Sequence, residues 1–216
     1  MSNLLQIQNG KRLIDKTKAE RLVVIFHGYG SNRENLYDLG EALSLHNPTF
    51  RFIIPNGIQN FEEGAGGYQW FSLRDYTQKA MERGLANVTP KISEWVKTRL
   101  NELNLTQDNL YLAGFSQGAM LSLYLAASKQ LSPKKIIAFS GVFIPPKEAN
   151  TTDKAISILA IHGDRDQILP INMTEESYKL LPHYGLNKLH YISEKGIEHY
   201  ITPQAITEAN NFLRAD

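Results

Sequence analysis

Five short apolar runs limit what this chain can fold into: Leu22 to Phe26, Phe50 to Ile54, Leu110 to Phe115, Ile136 to Phe139 and Ile156 to Ile161. Each is continuous rather than alternating, and each ends near glycine, proline or a polar cluster. A strand with one wet face alternates apolar and polar residues, whereas a strand covered on both faces does not. The runs therefore predict a mostly parallel sheet buried on both sides. Leu5 to Gln8 and His190 to Ser193 alternate more clearly and read as edge or half-exposed strands.

Helical patterns fall between the runs. Leu36, Leu39 and Leu43 share a face, with Ser31 or Asn32 as N-cap. Ile92, Trp95, Val96, Arg99, Leu100 and Leu103 repeat at helical spacing. Ala119 to Ala127 is apolar nearly all round and reads as a helix buried on the sheet. A last helix is expected from Pro203 to Leu213, with Pro203 in its first turn. Strands alternating with helices predict an α/β fold with helices on both faces, and residues 1–216 read as a single domain. The longest stretch without clear periodicity is Gly57 to Thr89, the length of a functional loop.

Composition excludes several classes. With 23 basic and 22 acidic residues the formal charge is +1, which gives no support to nucleic-acid binding. There is no cysteine, so disulfides, thiolate metal sites and a cysteine nucleophile are excluded. No metal-ligand spacing occurs, neither H-E-x-x-H nor an Asp-rich loop. No segment approaches the ~18 apolar residues of a membrane span. Met1 to Gln6 lacks the basic start and apolar run of a signal peptide, so the expectation is a soluble, cytoplasmic protein.

Gly114-Phe115-Ser116-Gln117-Gly118 matches G-x-S-x-G at a strand-to-helix junction, the context that a nucleophile elbow requires. A sharp turn there strains the serine backbone and lifts its hydroxyl over the sheet edge. Side chains two residues before and after would collide, hence the glycines. The bland reading, a glycine turn, lacks that strand and helix.

On such a fold the partners follow in the order Ser, acid, His. His162-Gly163-Asp164-Arg165-Asp166 follows the Ile156 run and offers two carboxylates. Asp164 is suited to capping its own turn, while Asp166 reaches the sheet edge and is the favoured acid. Of the histidines after it, His183 sits at a helix end and His190 inside a strand. His199 follows that strand, at the carboxyl edge where a general base belongs. His27 and His162 each end a strand before a glycine and read as loop supports.

Phe26-His27-Gly28-Tyr29-Gly30 also resembles the start of a dinucleotide fingerprint. Arg33 occupies the third glycine position, however, and no acidic residue closes the second strand. The hydrolase reading makes the loop an oxyanion site, with main-chain donors at Tyr29 and at Gln117.

His27-Gly28-Tyr29-Gly30, Trp70-Phe71-Ser72, Gly114 to Ala119, Phe139-Ser140-Gly141, His162-Gly163-Asp164-x-Asp166 and Glu198-His199 together resemble the phospholipase/carboxylesterase family of α/β-hydrolases. The resemblance spans nearly the whole chain. It implies an α/β-hydrolase core without a separate lid domain. It also implies a triad of Ser116, Asp166 and His199, oxyanion donors at Tyr29 and Gln117, and an acyl pocket bordered by Trp70, Phe71 and Leu73. The chain departs from the family pattern at Ile197-Glu198, where glycine usually precedes the histidine, and at Tyr29, where many relatives have leucine. Phe143, Ile144 and Leu169 are further candidates for an apolar site.

The implied reaction is two-step acyl transfer on carboxylic esters, thioesters or lysophospholipids, with no cofactor. The implied partner is a small-molecule or lipid acyl ester, and the chain is expected to be a monomer or homodimer. An idle receptor on the same fold and a peptidase are the alternatives; an intact triad argues against the first and the short chain against the second. With only Gly57 to Thr89 available as cover, the pocket is expected to be open and shallow.

Overall fold

The computed structural model describes residues 4–8, 11–12, 18–148 and 155–215. In chain order the elements are β1 (Leu4–Gln8), β2 (Lys11–Arg12), β3 (Arg21–Phe26), α1 (Tyr37–His46), β4 (Phe50–Pro55), β5 (Gln59–Asn60), β6 (Tyr68–Gln69), α2 (Gln78–Glu102), β7 (Leu110–Phe115), α3 (Gln117–Ala127), β8 (Lys135–Phe139), β9 (Ser157–Gly163), α4 (Ile171–Tyr178), β10 (Lys188–Glu194) and α5 (Pro203–Arg214). Three short 3₁₀ turns lie between them.

The main sheet runs β10-β9-β8-β7-β3-β4-β1-β2. From β10 to β4 every pairing is parallel, and β1 and β2 join antiparallel. The five apolar runs are the five inner parallel strands, and their continuity has a direct cause. Leu22, Val24 and Phe26 of β3 face a core shared with α2 and α3, and Val23 and Ile25 face a second core shared with α1 and α5. Alternate residues of β7, β8 and β9 divide in the same way. Both faces are dry, so neither register can be polar. The alternating β10 lies at an edge and is only half-buried.

Two expectations need correction. The stretch Gly57 to Thr89 is not loop throughout, because α2 begins at Gln78 under a Thr77 cap. Its start is hard to read because Glu82 and Thr89 sit on the buried face, beside Gly84 and Pro90. Gly84 has a packing cause: a Cβ there would lie 2.8 Å from the Phe71 ring. The second is the helix end expected at His183: α4 stops at Tyr178, its buried face only Thr174 and Tyr178, and His183 lies in a separate 3₁₀ turn. Among the described residues, no helix is long and apolar enough to cross a membrane.

Candidate active site

Ser116 joins β7 directly to α3 with φ 53° and ψ −114°. Few L-residues adopt a positive φ without a surrounding structure that enforces it. Here the enforcement is steric. A Cβ at Gly114 would lie 2.2 Å from the Gly118 backbone, and one at Gly118 would lie 2.0 Å from the Phe26 carbonyl oxygen. The glycines let α3 turn back over β7 and press against the end of β3. The Ser116 amide donates to the Phe139 carbonyl at 2.9 Å, which ties the elbow to β8.

Asp166 and His199 meet at the carboxyl edge of β9 and β10. His199 Nδ1 is 2.6 Å from Asp166 Oδ2, and the Asp166 carboxylate is fully buried. Asp166 Oδ1 accepts from the amides of Ile168 at 2.9 Å and Leu169 at 2.8 Å. The His199 ring lies 4.8 Å from that of Phe115, the residue before the elbow serine. Among the described residues no hydrogen bond joins the Ser116 hydroxyl to His199.

Asp164, the competing carboxylate, does something else. It is exposed, and its Oδ1 accepts from the Gly196 amide at 2.6 Å. The Asp164 amide donates to the Glu194 carbonyl at 3.0 Å and the Arg165 amide to that of Ile197 at 2.9 Å. These bonds zip the acid's loop to the histidine's loop. Gly163 permits the approach, since a Cβ there would lie 2.3 Å from the Ile197 carbonyl oxygen. His183 and His190 are both exposed and lie away from this pair, in a 3₁₀ turn and on β10.

The loop after β3 and the start of α3, where oxyanion donors are expected, have a different construction. Among the described residues, neither the Tyr29 amide nor the Gln117 amide has a partner within the protein; Gln117 opens α3, where the first amides have no helical acceptor. His27 fixes the loop. Its Nε2 accepts from the Gly57 amide at 2.8 Å, so Nδ1 carries the proton and donates to the Gly28 carbonyl at 2.8 Å. Burial pushes the His27 pKa down to about 4, partly offset by that bond to Gly28.

Sequence reasoning missed the side chain of Gln117. Fully buried, it accepts from the Trp70 amide at 2.9 Å and donates to the Phe71 carbonyl at 2.7 Å. Trp70 Nε1 donates to the His27 carbonyl at 2.9 Å, and the ring meets Phe26 edge-on at 5.1 Å. Trp70, Phe71 and Leu73 are thus buried in the core. Trp70 and Phe71 clamp the elbow to the loop after β3. The Tyr29 hydroxyl donates to Glu62 at 2.5 Å. Ser72 and the Leu73 amide donate to the same Glu62 oxygen, at 2.8 and 3.1 Å. Desolvation raises the Glu62 pKa, but these bonds outweigh it and hold it below the ordinary carboxylate value. Desolvation and the Glu62 bond raise that of Tyr29.

An apolar cleft of about 330 Å³ lies between the start of α2, the segment after β8 and α4. Tyr76, Met81, Val142, Phe143, Met173 and Leu180 contribute to its walls. Ile144 lines it too, whereas Trp70, Phe71, Leu73 and Leu169 do not. Tyr76, Met173 and Leu180 are exposed at its rim. Among the described residues no cluster of His, Asp and Glu could hold a metal ion.

The chain is 27% identical to acyl-protein thioesterase 1 of Kluyveromyces lactis, over 95% of this chain and 96% of that relative. It is 28% identical to acyl-protein thioesterase 1 homolog 1 of Dictyostelium discoideum, over 88% of each. The crystal structure of esterase PE8 superposes with a TM-score of 0.82 at 30% identity, covering 91% of this chain and 93% of that one. Residues 10–216 match the phospholipase/carboxylesterase family as a whole. With its strand order, elbow and sheet-edge loops, the chain belongs to the phospholipase/carboxylesterase family of α/β-hydrolases.

Proposed function

We propose that this carboxylesterase/thioesterase-type hydrolase works through Ser116 as nucleophile, His199 as general base and Asp166 as the group that orients His199. The observation that carries the reading is the 2.6 Å contact between His199 Nδ1 and a buried Asp166, beside a serine held at φ 53°. With Nδ1–H committed to Asp166, Nε2 is left as a proton acceptor. Catalytic hydrogen bonds often close only when substrate is bound, so Ser116 and His199 need not be bonded at rest.

Attack by the Ser116 oxygen on an acyl carbonyl passes its proton to His199 and leaves the oxyanion to the amides of Tyr29 and Gln117. The positive end of the α3 dipole adds to that stabilisation. His199 protonates the departing alcohol or thiol, and the acyl group stays on Ser116. Water then repeats the sequence and frees the acid. The apolar cleft suits the acyl chain of an ester or thioester substrate.

A fluorophosphonate probe and a series of p-nitrophenyl esters test the assignment together. The wild type is expected to label and to hydrolyse. Ser116→Ala is expected to keep its fold, fail to label and lose at least about a thousandfold in kcat. Normal turnover by Ser116→Ala would remove the assignment.

A further inference from the structure

Asp166 has a second histidine against it. His162 ends β9, its side chain is 1% exposed, and its Nε2 is 3.3 Å from Asp166 Oδ2. That oxygen is the one His199 holds. The same Nε2 is 2.7 Å from the Leu169 carbonyl oxygen. A carbonyl only accepts, so Nε2 bears the proton and Nδ1 is bare, with the Thr174 hydroxyl 3.4 Å away. Three links therefore close a ring. The Leu169 amide donates to Asp166 Oδ1, the Leu169 carbonyl accepts the single N–H of His162, and the same ring edge lies against Asp166 Oδ2 at 3.3 Å, a close contact rather than a hydrogen bond.

Resting on the triad reading, we infer that His162 is a positioning residue for the reaction, acting through Asp166. Its N–H holds the Leu169 peptide, whose amide donates to Asp166 Oδ1, and the polar ring edge lies 3.3 Å from Oδ2; together they fix the orientation of the carboxylate and offset part of its charge, so that Oδ2 holds the His199 ring without over-stabilising imidazolium. An ion pair between the two histidines and the acid is not involved. Burial pushes the pKa of His162 below its ordinary value, with the Leu169 carbonyl and the Asp166 charge opposing. The charged and titratable groups facing it are Asp166 on its own loop, His199 beyond β10 and Glu175 on α4. A neutral N–H donor is what the site requires.

Glutamine carries an amide N–H at about the reach of Nε2, and methionine matches its length without a donor. His162→Gln is expected to stay within about threefold of wild-type kcat. His162→Met is expected to lose about tenfold in kcat with KM within twofold, since small misplacements of a catalytic group cost rate rather than binding. In that variant the acid limb of kcat/KM moves up by about half a pH unit, because an unshared carboxylate favours the charged imidazole more strongly. Equal loss in both variants, or an unmoved acid limb in His162→Met, overturns the inference. A readout free of activity and of mutation is the nitrogen-15 NMR spectrum of the wild-type histidines. His162 is expected as the neutral Nε2–H tautomer at pH 8, and the Nδ1–H tautomer overturns the inference. A wild type that shows this tautomer but hydrolyses no ester or thioester brings down the triad reading on which the inference rests.

Discussion

Two buried histidines end two strands of the sheet, and they serve opposite halves of the site with opposite tautomers. His27, at the end of β3, bears its proton on Nδ1 and spans the Gly28 carbonyl and the Gly57 amide. His162, at the end of β9, bears its proton on Nε2 and faces the Leu169 carbonyl and Asp166. The first shapes a loop whose contribution to the proposed chemistry is a main-chain amide. The second stands against a side chain whose charge and angle matter directly. Both are neutral for the same reason, desolvation, yet a defect at each should have a different signature. On the acid–base half the rate should suffer most. On the oxyanion half stability should suffer first, because its donors survive side-chain substitution.

The sharpest way to break the comparison is Asp166→Asn. The new amide offers an N–H toward His199 Nδ1 and selects the wrong imidazole tautomer. A loss of about 10⁴-fold in kcat is expected with little change in melting temperature, as for other orienting carboxylates. A melting drop that accounted for the activity loss would mean that Asp166 is a structural group.

On the other half, Gln117→Leu should act through stability. The Gln117 side chain satisfies two buried main-chain groups, Trp70 N–H and Phe71 C=O. Stranding both costs about 2–4 kcal/mol, read by chemical denaturation. Because the Gln117 amide remains, the surviving folded fraction should turn over substrate at a rate much nearer the wild type than Asp166→Asn. An unchanged denaturation midpoint would mean that the Gln117 side chain is no clamp.

Much of this contrast could not be read along the chain. The inner strands were legible because burial on both faces leaves a one-dimensional mark, an unbroken apolar run. The meeting of Asp166 with His199 was legible because chain order on this fold restricts the choice, and the 2.6 Å contact joins these two proposed partners. Gln117 and Trp70 were not legible as partners, since they lie 47 residues apart and meet only once α3 docks over the sheet. The extent of helix α4 was hidden because Thr174, a polar residue, occupies the middle of its buried face. The fastening of Trp70 and Phe71 was hidden for a related reason: both are buried, and their bonds to Gln117 and to the His27 carbonyl join segments far apart in the chain.

The acid response offers a smaller effect, separable by variant. For His27 the folded value, about 4, lies below the unfolded value of 6.5. Between those pH values the unfolded chain binds a proton that the folded chain refuses. Stability therefore falls as pH drops through that window and levels off below about 4, with about 2 kcal/mol lost between pH 7 and pH 5. The burial of His162 adds in the same direction. His27→Gln, which can keep one donor and one acceptor, should flatten part of that slope in urea melts. A slope identical to the wild type would show that His27 titrates freely in the fold.

The smallest effect is expected at Tyr29→Phe, and it is the most direct check that the oxyanion half works through its backbone. The hydroxyl binds Glu62, and the ring meets Phe61 edge-on at 4.9 Å. Phenylalanine keeps the ring contact and loses one bond near the surface. Glu62 still receives Ser72 and the Leu73 amide, so the segment stays tethered. The Tyr29 amide is unaltered, and with it the proposed donor to the oxyanion. Turnover of a p-nitrophenyl ester should therefore stay within about threefold of wild type, against the roughly 10²–10³-fold cost of removing an oxyanion donor. A loss of that larger size would mean that the hydroxyl, held by Glu62, sets the position of its own amide. The two halves would then be alike after all, each depending on a side chain that orients the group doing the chemistry.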